Sequence, residues 1–269
     1  MSQAKGGRHS RIAPAVMVAI LLSIAAIVAI FPQFRCQTID VEGLRILQRD
    51  DVIAATGLGV GRHLLAGLGP DPVRLFSLRY GGAEDAVATL SPYVKSVRAR
   101  LSFPSRIVVL VEERIEVAYL SIPDGCVVID AQGVAVEILH TGVPQGIPVI
   151  EGITVTSVVL GQTLQVADEA AVHSAVVIMD AIIKSDSENS RFNLFRTVAG
   201  LRAISADTIY MTVVLPATGE TLVVRLGSLS KITETVEWLR NAIHNGHCDH
   251  LGKGVLDLSS SQKVFRPDA

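Results

Sequence analysis

VKSVRARLSFPSRIVVLVEERIEVAYL, residues 94–120, decides the fold. Val97, Ala99, Leu101 and Phe103 alternate with Ser96, Arg98, Arg100 and Ser102, the period of two expected of a strand with one buried and one wet face. Pro104 and Ser105 turn the chain. Ile107 to Val111 is apolar throughout and rich in β-branched residues, which predicts a second strand covered on both faces. Glu112, Glu113 and Arg114 close it with charge. A lone hairpin is at best marginally stable in water. The sequence before it must therefore supply covering helices, and the sequence after it a second layer.

Upstream, Ile39 and Val41 alternate with Asp40 and Glu42 ahead of Gly43, a short strand ending in a turn. Asp50 is placed to cap a helix through Asp51, Val52, Ile53 and Ala55, with Gly57 as its stop. Gly57 to Asp71 is glycine-rich and punctuated by Pro70 and Pro72, so it reads as a loop. It lacks the Gly-Lys-Ser/Thr ending of a phosphate loop. A second helix is expected from Ala83 to Leu90, stopped by Ser91-Pro92. Residues 36–113 thus follow the order β-α-α-β-β.

Further toward the N-terminus, Ile12 to Phe31 holds no charge over 20 residues, enough for the roughly 30 Å hydrocarbon core of a bilayer. Lys5, Arg8 and Arg11 precede it. The positive-inside bias then keeps residues 1–11 cytoplasmic and exports everything beyond a single transmembrane helix at 12–31. The small residues Ala25, Ala26 and Ala29 also fit a cleavable signal peptide, although the apolar run exceeds the roughly 7–15 residues of a signal core. This segment contributes much of the mean hydropathy of +0.43. The 269 residues suffice for about two domains. With 24 basic against 26 acidic residues and 4% aromatics, neither a basic surface nor a stacking platform for nucleic acid is indicated. Of three cysteines, Cys126 and Cys248 either pair or stay free, and Cys36, beside the membrane, is free or joins a neighbouring subunit. Pro32 to Arg35 lack the small residues of a lipid-attachment site.

Residues 114–266 read as a second, β-rich domain. Ala118 to Ile122, Cys126 to Asp130 and Val134 to Leu139 form three strands, separated by Pro123-Asp124-Gly125 and Ala131-Gln132-Gly133. From Asp168 to Lys184, Val172, Val176, Met179 and Ile183 make one apolar stripe of a helix, followed by a polar connector at Ser185 to Ser190. Sheet returns at Thr208 to Leu215 and Leu222 to Leu226. A second helix, Lys231 to Asn245, aligns Ile232, Val236, Leu239 and Ile243. Val255 to Leu258 and Val264-Phe265 are the last strands. The class is α+β, with two helices packed on a mixed sheet.

Chemistry is sparse. His244, His247, Cys248 and His250 within seven residues are a conceivable ligand set for a cell-envelope metalloenzyme. Their spacing fits no closed zinc pattern, and a polar helix C-terminus, where histidines suit the dipole, accounts for them. Glu112 and Glu113 flank a strand end and make no glycosidase pair. No Gly-x-Ser-x-Gly elbow is present, and Ser259 to Ser261 have no placeable base. No catalytic residue, metal or cofactor is assigned.

The element order after one apolar segment resembles the bacterial cell-division family FtsQ, called DivIB in Gram-positive organisms, whose first exported domain is a POTRA domain. The matching residues are Ile39-Asp40-Val41-Glu42-Gly43, Pro92-Tyr93-Val94, Phe103-Pro104, and Val111 to Arg114 with Val117-Ala118. Ile147 to Gly152 resembles a Leu-Pro-x-Leu-x-Gly element, and Val224-Arg225-Leu226-Gly227 with Lys231 resembles the strand that leads into the family's last helix. The stretch Gly61 to Gly82 is an insertion. The resemblance implies a non-enzymatic, single-pass protein of the cytoplasmic membrane at the division septum. It further implies that the POTRA domain helps localise the protein, and that the β-domain offers its last strand edge to FtsB, which with FtsL controls the septal peptidoglycan synthase FtsW–FtsI. Carried onto this chain, that edge is Val255 to Phe265, with Leu256, Leu258, Ser260, Val264 and Phe265 as contact candidates. Ser259-Ser260 stand where the family often has arginine and an aromatic.

Overall fold

The structure, a computed structural model, describes residues 12–30, 34–69, 71–144, 146–189, 191–260 and 262–268. The expected cytoplasmic tail with Lys5, Arg8 and Arg11, and Phe31, lie outside them. The chain divides into two compact units, Met1–Glu113 and Arg114–Ala269.

In the first unit, helix α1 covers Ile12–Ile30, 19 residues without a charge. Among the described residues no helix is long and apolar enough to cross a membrane. Strand β1 (Thr38–Glu42) is followed by α2 (Arg49–Thr56), α3 (Pro72–Phe76), α4 (Gly81–Ala88), β2 (Val94–Ser102) and β3 (Arg106–Glu113). The sheet has the order β1-β3-β2, with β1 parallel and β2 antiparallel to the central β3. The core gathers Val52, Tyr80, Ala83 and Val87 against Ile39, Ala99, Ile107, Val109 and Val111. In β3, Ile107, Val108, Val109 and Val111 are buried and Leu110 half-buried, in keeping with its unbroken apolar run.

Several local expectations are corrected. Asp50 is not the N-cap of α2: that position is Gln48, which makes no side-chain cap, and Asp50 and Asp51 lie in the first turn, where they face the positive end of the helix dipole. Gly57 does close the helix, at φ +63°. Helix α3 is not among the predicted elements and begins directly after the loop expected at Gly57 to Asp71. Asp71 caps it by accepting from the Val73 N–H at 3.0 Å, with Pro72 in its first turn. Phe103 belongs to the turn rather than the buried face of β2 and is 64% exposed. Two buried polar groups tie the unit together. The Tyr80 hydroxyl donates to the Leu64 carbonyl at 2.6 Å. Glu113 accepts the backbone N–H groups of Arg45, Ile46 and Leu47 at 3.0, 2.7 and 3.0 Å. Burial pushes this carboxyl's pKa up, but the three N–H donors outweigh it and hold it below the usual range.

The second unit runs β4 (Glu116–Ile122), β5 (Gly125–Asp130), β6 (Ala135–Leu139), β7 (Val149–Glu151), β8 (Val155–Ser157), β9 (Gln165–Val166), α5 (Glu169–Glu188), β10 (Val198–Ser205), β11 (Thr208–Val214), β12 (Thr221–Leu226), α6 (Ile232–His244), β13 (Gly254–Asp257) and β14 (Val264–Pro267). Two antiparallel runs, β4-β5-β6 and β10-β11-β12, meet at β7, which pairs in parallel with both β4 and β10. The result is one nine-stranded sheet of order β14-β13-β12-β11-β10-β7-β4-β5-β6, while β8 and β9 pair separately. Gly200 is required at the β7–β10 seam, since a Cβ there would come within 2.6 Å of Val149 Cγ1. Val172, Val176 and Met179 of α5 and Val236, Leu239 and Ile243 of α6 enter the same core as Leu201, Met211 and Val224. Asp168 caps α5 through the Ala171 N–H at 2.9 Å. Helix α5 continues through the expected connector to Glu188, with Ser185 buried and its carbonyl accepting from Arg240 at 3.0 Å. Strand β10 was not expected. All three cysteines are free and buried.

Candidate partner-binding edge

The sheet edge forms because β12 leads into α6, whose apolar stripe packs on the core, and the chain returns as β13 in parallel beside β12, pairing Val224 with Leu256 and Arg225 with Asp257. Strand β14 then folds back antiparallel, setting Phe265 opposite Leu256 and Val264 opposite Asp257. Strict side-chain alternation assigns the candidates to two faces. Leu256 and Leu258 are 4% and 5% exposed and belong to the core. They cannot serve as contact side chains while β13 stays folded, which corrects the reading that placed them on the binding surface. Phe265, partly buried, packs against that core. Val264 is 42% exposed. Ser260 is exposed, and its hydroxyl donates to the Gln262 carbonyl at 2.8 Å, shaping the turn between the two strands.

Asp257 holds this corner together. One carboxylate oxygen accepts from the Ser259 hydroxyl at 2.6 Å and its N–H at 3.0 Å; the other lies 3.3 Å from Arg225 Nη1 and 3.6 Å from Arg266 Nη2. The Ser259 hydroxyl bond leads in holding the carboxyl below its usual range, against burial, with help from the Ser259 N–H and the two arginines. Ser259 therefore has a positioning task that sequence reasoning missed. On the turn, Lys263 Nζ sits 4.2 Å from the Trp238 ring centroid.

The backbone of β14 defines what remains open. Asp268 N–H donates to the Lys253 carbonyl at 3.1 Å, so by antiparallel alternation Arg266 and Val264 direct their backbone groups inward to β13. Phe265 then presents its N–H and C=O outward. Pro267 also faces outward and has no N–H to present. The opposite edge is different: at Ala135 of β6 the N–H donates to Gln162 O at 2.9 Å and the carbonyl accepts from Gly161 at 2.8 Å.

The His244, His247, Cys248 and His250 set does not converge. Among the described residues no three His, Cys, Asp or Glu side chains stand in a group that could hold a metal. The His244 ring lies against Phe192 with centroids 5.7 Å apart, and burial pushes the Cys248 thiol up, away from the reactive thiolate.

Helices α2 and α4 packed against a three-stranded β1-β3-β2 sheet, followed along the chain by a β-rich unit with an open terminal strand, give the class of a POTRA-bearing protein. Residues 34–114 match the family model of the POTRA domain, FtsQ-type. Over 130 residues the chain is 27% identical to the cell division protein DivIB of Clostridium acetobutylicum, a match covering 48% of this chain and 47% of that protein. The chain thus spans about half the length of the curated relative it matches. Together the two matches support the FtsQ/DivIB family for this chain.

Proposed function

We propose that the chain is a non-enzymatic cell-division protein. In this reading α1 anchors it in the cytoplasmic membrane, residues 36–113 localise it at the septum, and residues 114–266 recruit partners. Similarity to a DivIB supports the division role. The partners are membrane proteins of the FtsB and FtsL type, through which the protein helps regulate septal peptidoglycan synthesis by FtsW and FtsI. The observation that carries the recruiting role is β14, the terminal strand of the nine-stranded sheet, with the backbone groups of Phe265 directed away from β13. Such an edge accepts an added strand, whose main-chain hydrogen bonds give affinity and whose alternate side chains give specificity.

Phe265→Pro tests this. It removes the outward donor without deleting an inward bond to β13, so partner binding is expected to fall about tenfold or more, a loss of roughly 1.4 kcal/mol. Phe265→Ala keeps the N–H and separates the loss of the ring from the loss of the donor. Co-purification of small single-pass partners from cross-linked membranes, with circular dichroism to verify the fold, is the measurement. Undiminished binding by a folded Phe265→Pro variant would remove the edge from the mechanism.

A further inference from the structure

The insertion and the hairpin turn meet at one end of the POTRA domain, the end at which the chain arrives from α1. Four segments are tied there by backbone bonds. Leu64 N–H donates to Phe34 O at 2.8 Å, Cys36 N–H to Arg62 O at 2.8 Å, Gln37 N–H to Ser105 O at 2.7 Å, and Leu101 N–H to Leu78 O at 2.9 Å. Ile30, the last residue of α1, is four Cα steps from Phe34, a reach of at most about 14 Å. Wherever α1 leaves the bilayer, this end of the domain is therefore next to the surface.

Its exposed side chains suit that position. Phe76 at the end of α3 is 89% exposed, Phe103 stands out from the hairpin turn, and Val60, Leu65 and Val73 are exposed as well. Large apolar groups gathered at one end of a soluble domain mark an interaction surface. Arg35, Arg62 and Arg100 belong to the same end and have no carboxylate partner among the described residues. Apolar tips among unpaired cations complement the interface of a bilayer, where acyl chains lie just beneath phosphates.

We infer that this rim, carried by Phe76 and Phe103, is seated in the outer surface of the bilayer that α1 enters, with Arg35, Arg62 and Arg100 on lipid phosphates. The inference rests on the reading of α1 as a membrane anchor. Its occupant is lipid, and the rim fixes the POTRA domain's tilt at the membrane rather than leaving it on a free tether.

The full-length protein in vesicles of phosphatidylethanolamine and phosphatidylglycerol tests this. The single tryptophan, Trp238, is replaced by phenylalanine, and a reporter is placed by Phe76→Trp, Phe103→Trp, Leu90→Trp or Val18→Trp. Leu90 precedes β2, at the other end of that strand from the hairpin turn. Lipids brominated near the headgroup end of the acyl chain are expected to quench the Phe76→Trp and Phe103→Trp variants and leave the Leu90→Trp variant unquenched. Lipids brominated deep in the chain are expected to quench the Val18→Trp variant. Quenching of Val18→Trp without quenching of Phe76→Trp and Phe103→Trp overturns the inference, leaves the anchor standing and assigns the rim to a protein partner. An unquenched Val18→Trp variant overturns the anchor and the inference with it. Equal quenching of Leu90→Trp would mean non-specific adsorption and would also overturn it.

Discussion

Asp130→Ala is expected to destabilise the second unit by about 3–5 kcal/mol, the cost of breaking a buried ion pair by removing one partner. Asp130 Oδ2 lies 2.6 Å from Arg114 Nη1, with the aspartate side chain 2% and the arginine 15% exposed. Asp130 Oδ1 accepts the N–H groups of Gln132 and Val134 at 2.8 and 2.9 Å. One side chain thus closes the turn between β5 and β6 and fixes the first residue of the unit, and its loss removes the carboxylate that the half-buried Arg114 guanidinium faces. Asp130→Asn can keep the two turn bonds and loses only the charge, so it should fall between wild type and alanine. Urea unfolding followed by the fluorescence of Trp238, which lies in the same unit, gives the midpoints. An Asp130→Ala variant within about 1 kcal/mol of wild type would be that of an ordinary surface change and would contradict the role given to the pair.

Glu113→Ala should cost the first unit about 3 kcal/mol, since hydrogen bonds to a charged group contribute roughly 1.5–3 kcal/mol and three N–H donors share this carboxylate. The folded pKa of Glu113 is depressed below its unfolded value. Its contribution is therefore fully present above the usual glutamate range and is lost as pH falls below that range toward the depressed folded value. Hydrogen exchange at the amides of Arg45, Ile46 and Leu47 reads the effect locally. Wild type should lose protection there on acidification, and Glu113→Gln should be weakly protected at neutral pH with a flatter response. Equal pH dependence in wild type and Glu113→Gln would assign the acid sensitivity to another group.

The hairpin at residues 94–113 could be seen in the sequence because its information is local: two-residue alternation, a turn and an apolar run all fall within one window. Alternation was carried one residue too far at Phe103, which the turn at Pro104 lifts out of the strand. Strand β10 was missed because its register shifts between Val198 and Gly200 and again between Ala203 and Ser205. Such bulges break the period that marks a strand. Helix α3 is five residues long, too short for a 3.6-residue period to show, and only Asp71-Pro72 signalled its start. At the partner edge, Val255 to Leu258 was identifiable as strand, but which face Leu256 and Leu258 take depends on the parallel register with β12. That register is set by α6 and the sheet, far from the residues themselves. The outward direction of Phe265 likewise emerges only from the bond between Asp268 and Lys253.

The two ends of the nine-stranded sheet are unequal in a way that bears on crowding. At β6 the first residue is already engaged by residues 161 and 162, and at β14 the outward row stops at Pro267. Head-to-tail joining of identical copies would need both ends free and long enough to zip together. At Ala135 β6 has nothing left to offer a second copy, and β14 offers only a short row, so head-to-tail pairing through these two positions has little to hold it. Under the proposed recruiting role, the outward N–H and C=O of Phe265 would then serve a strand from a different chain, one to each molecule.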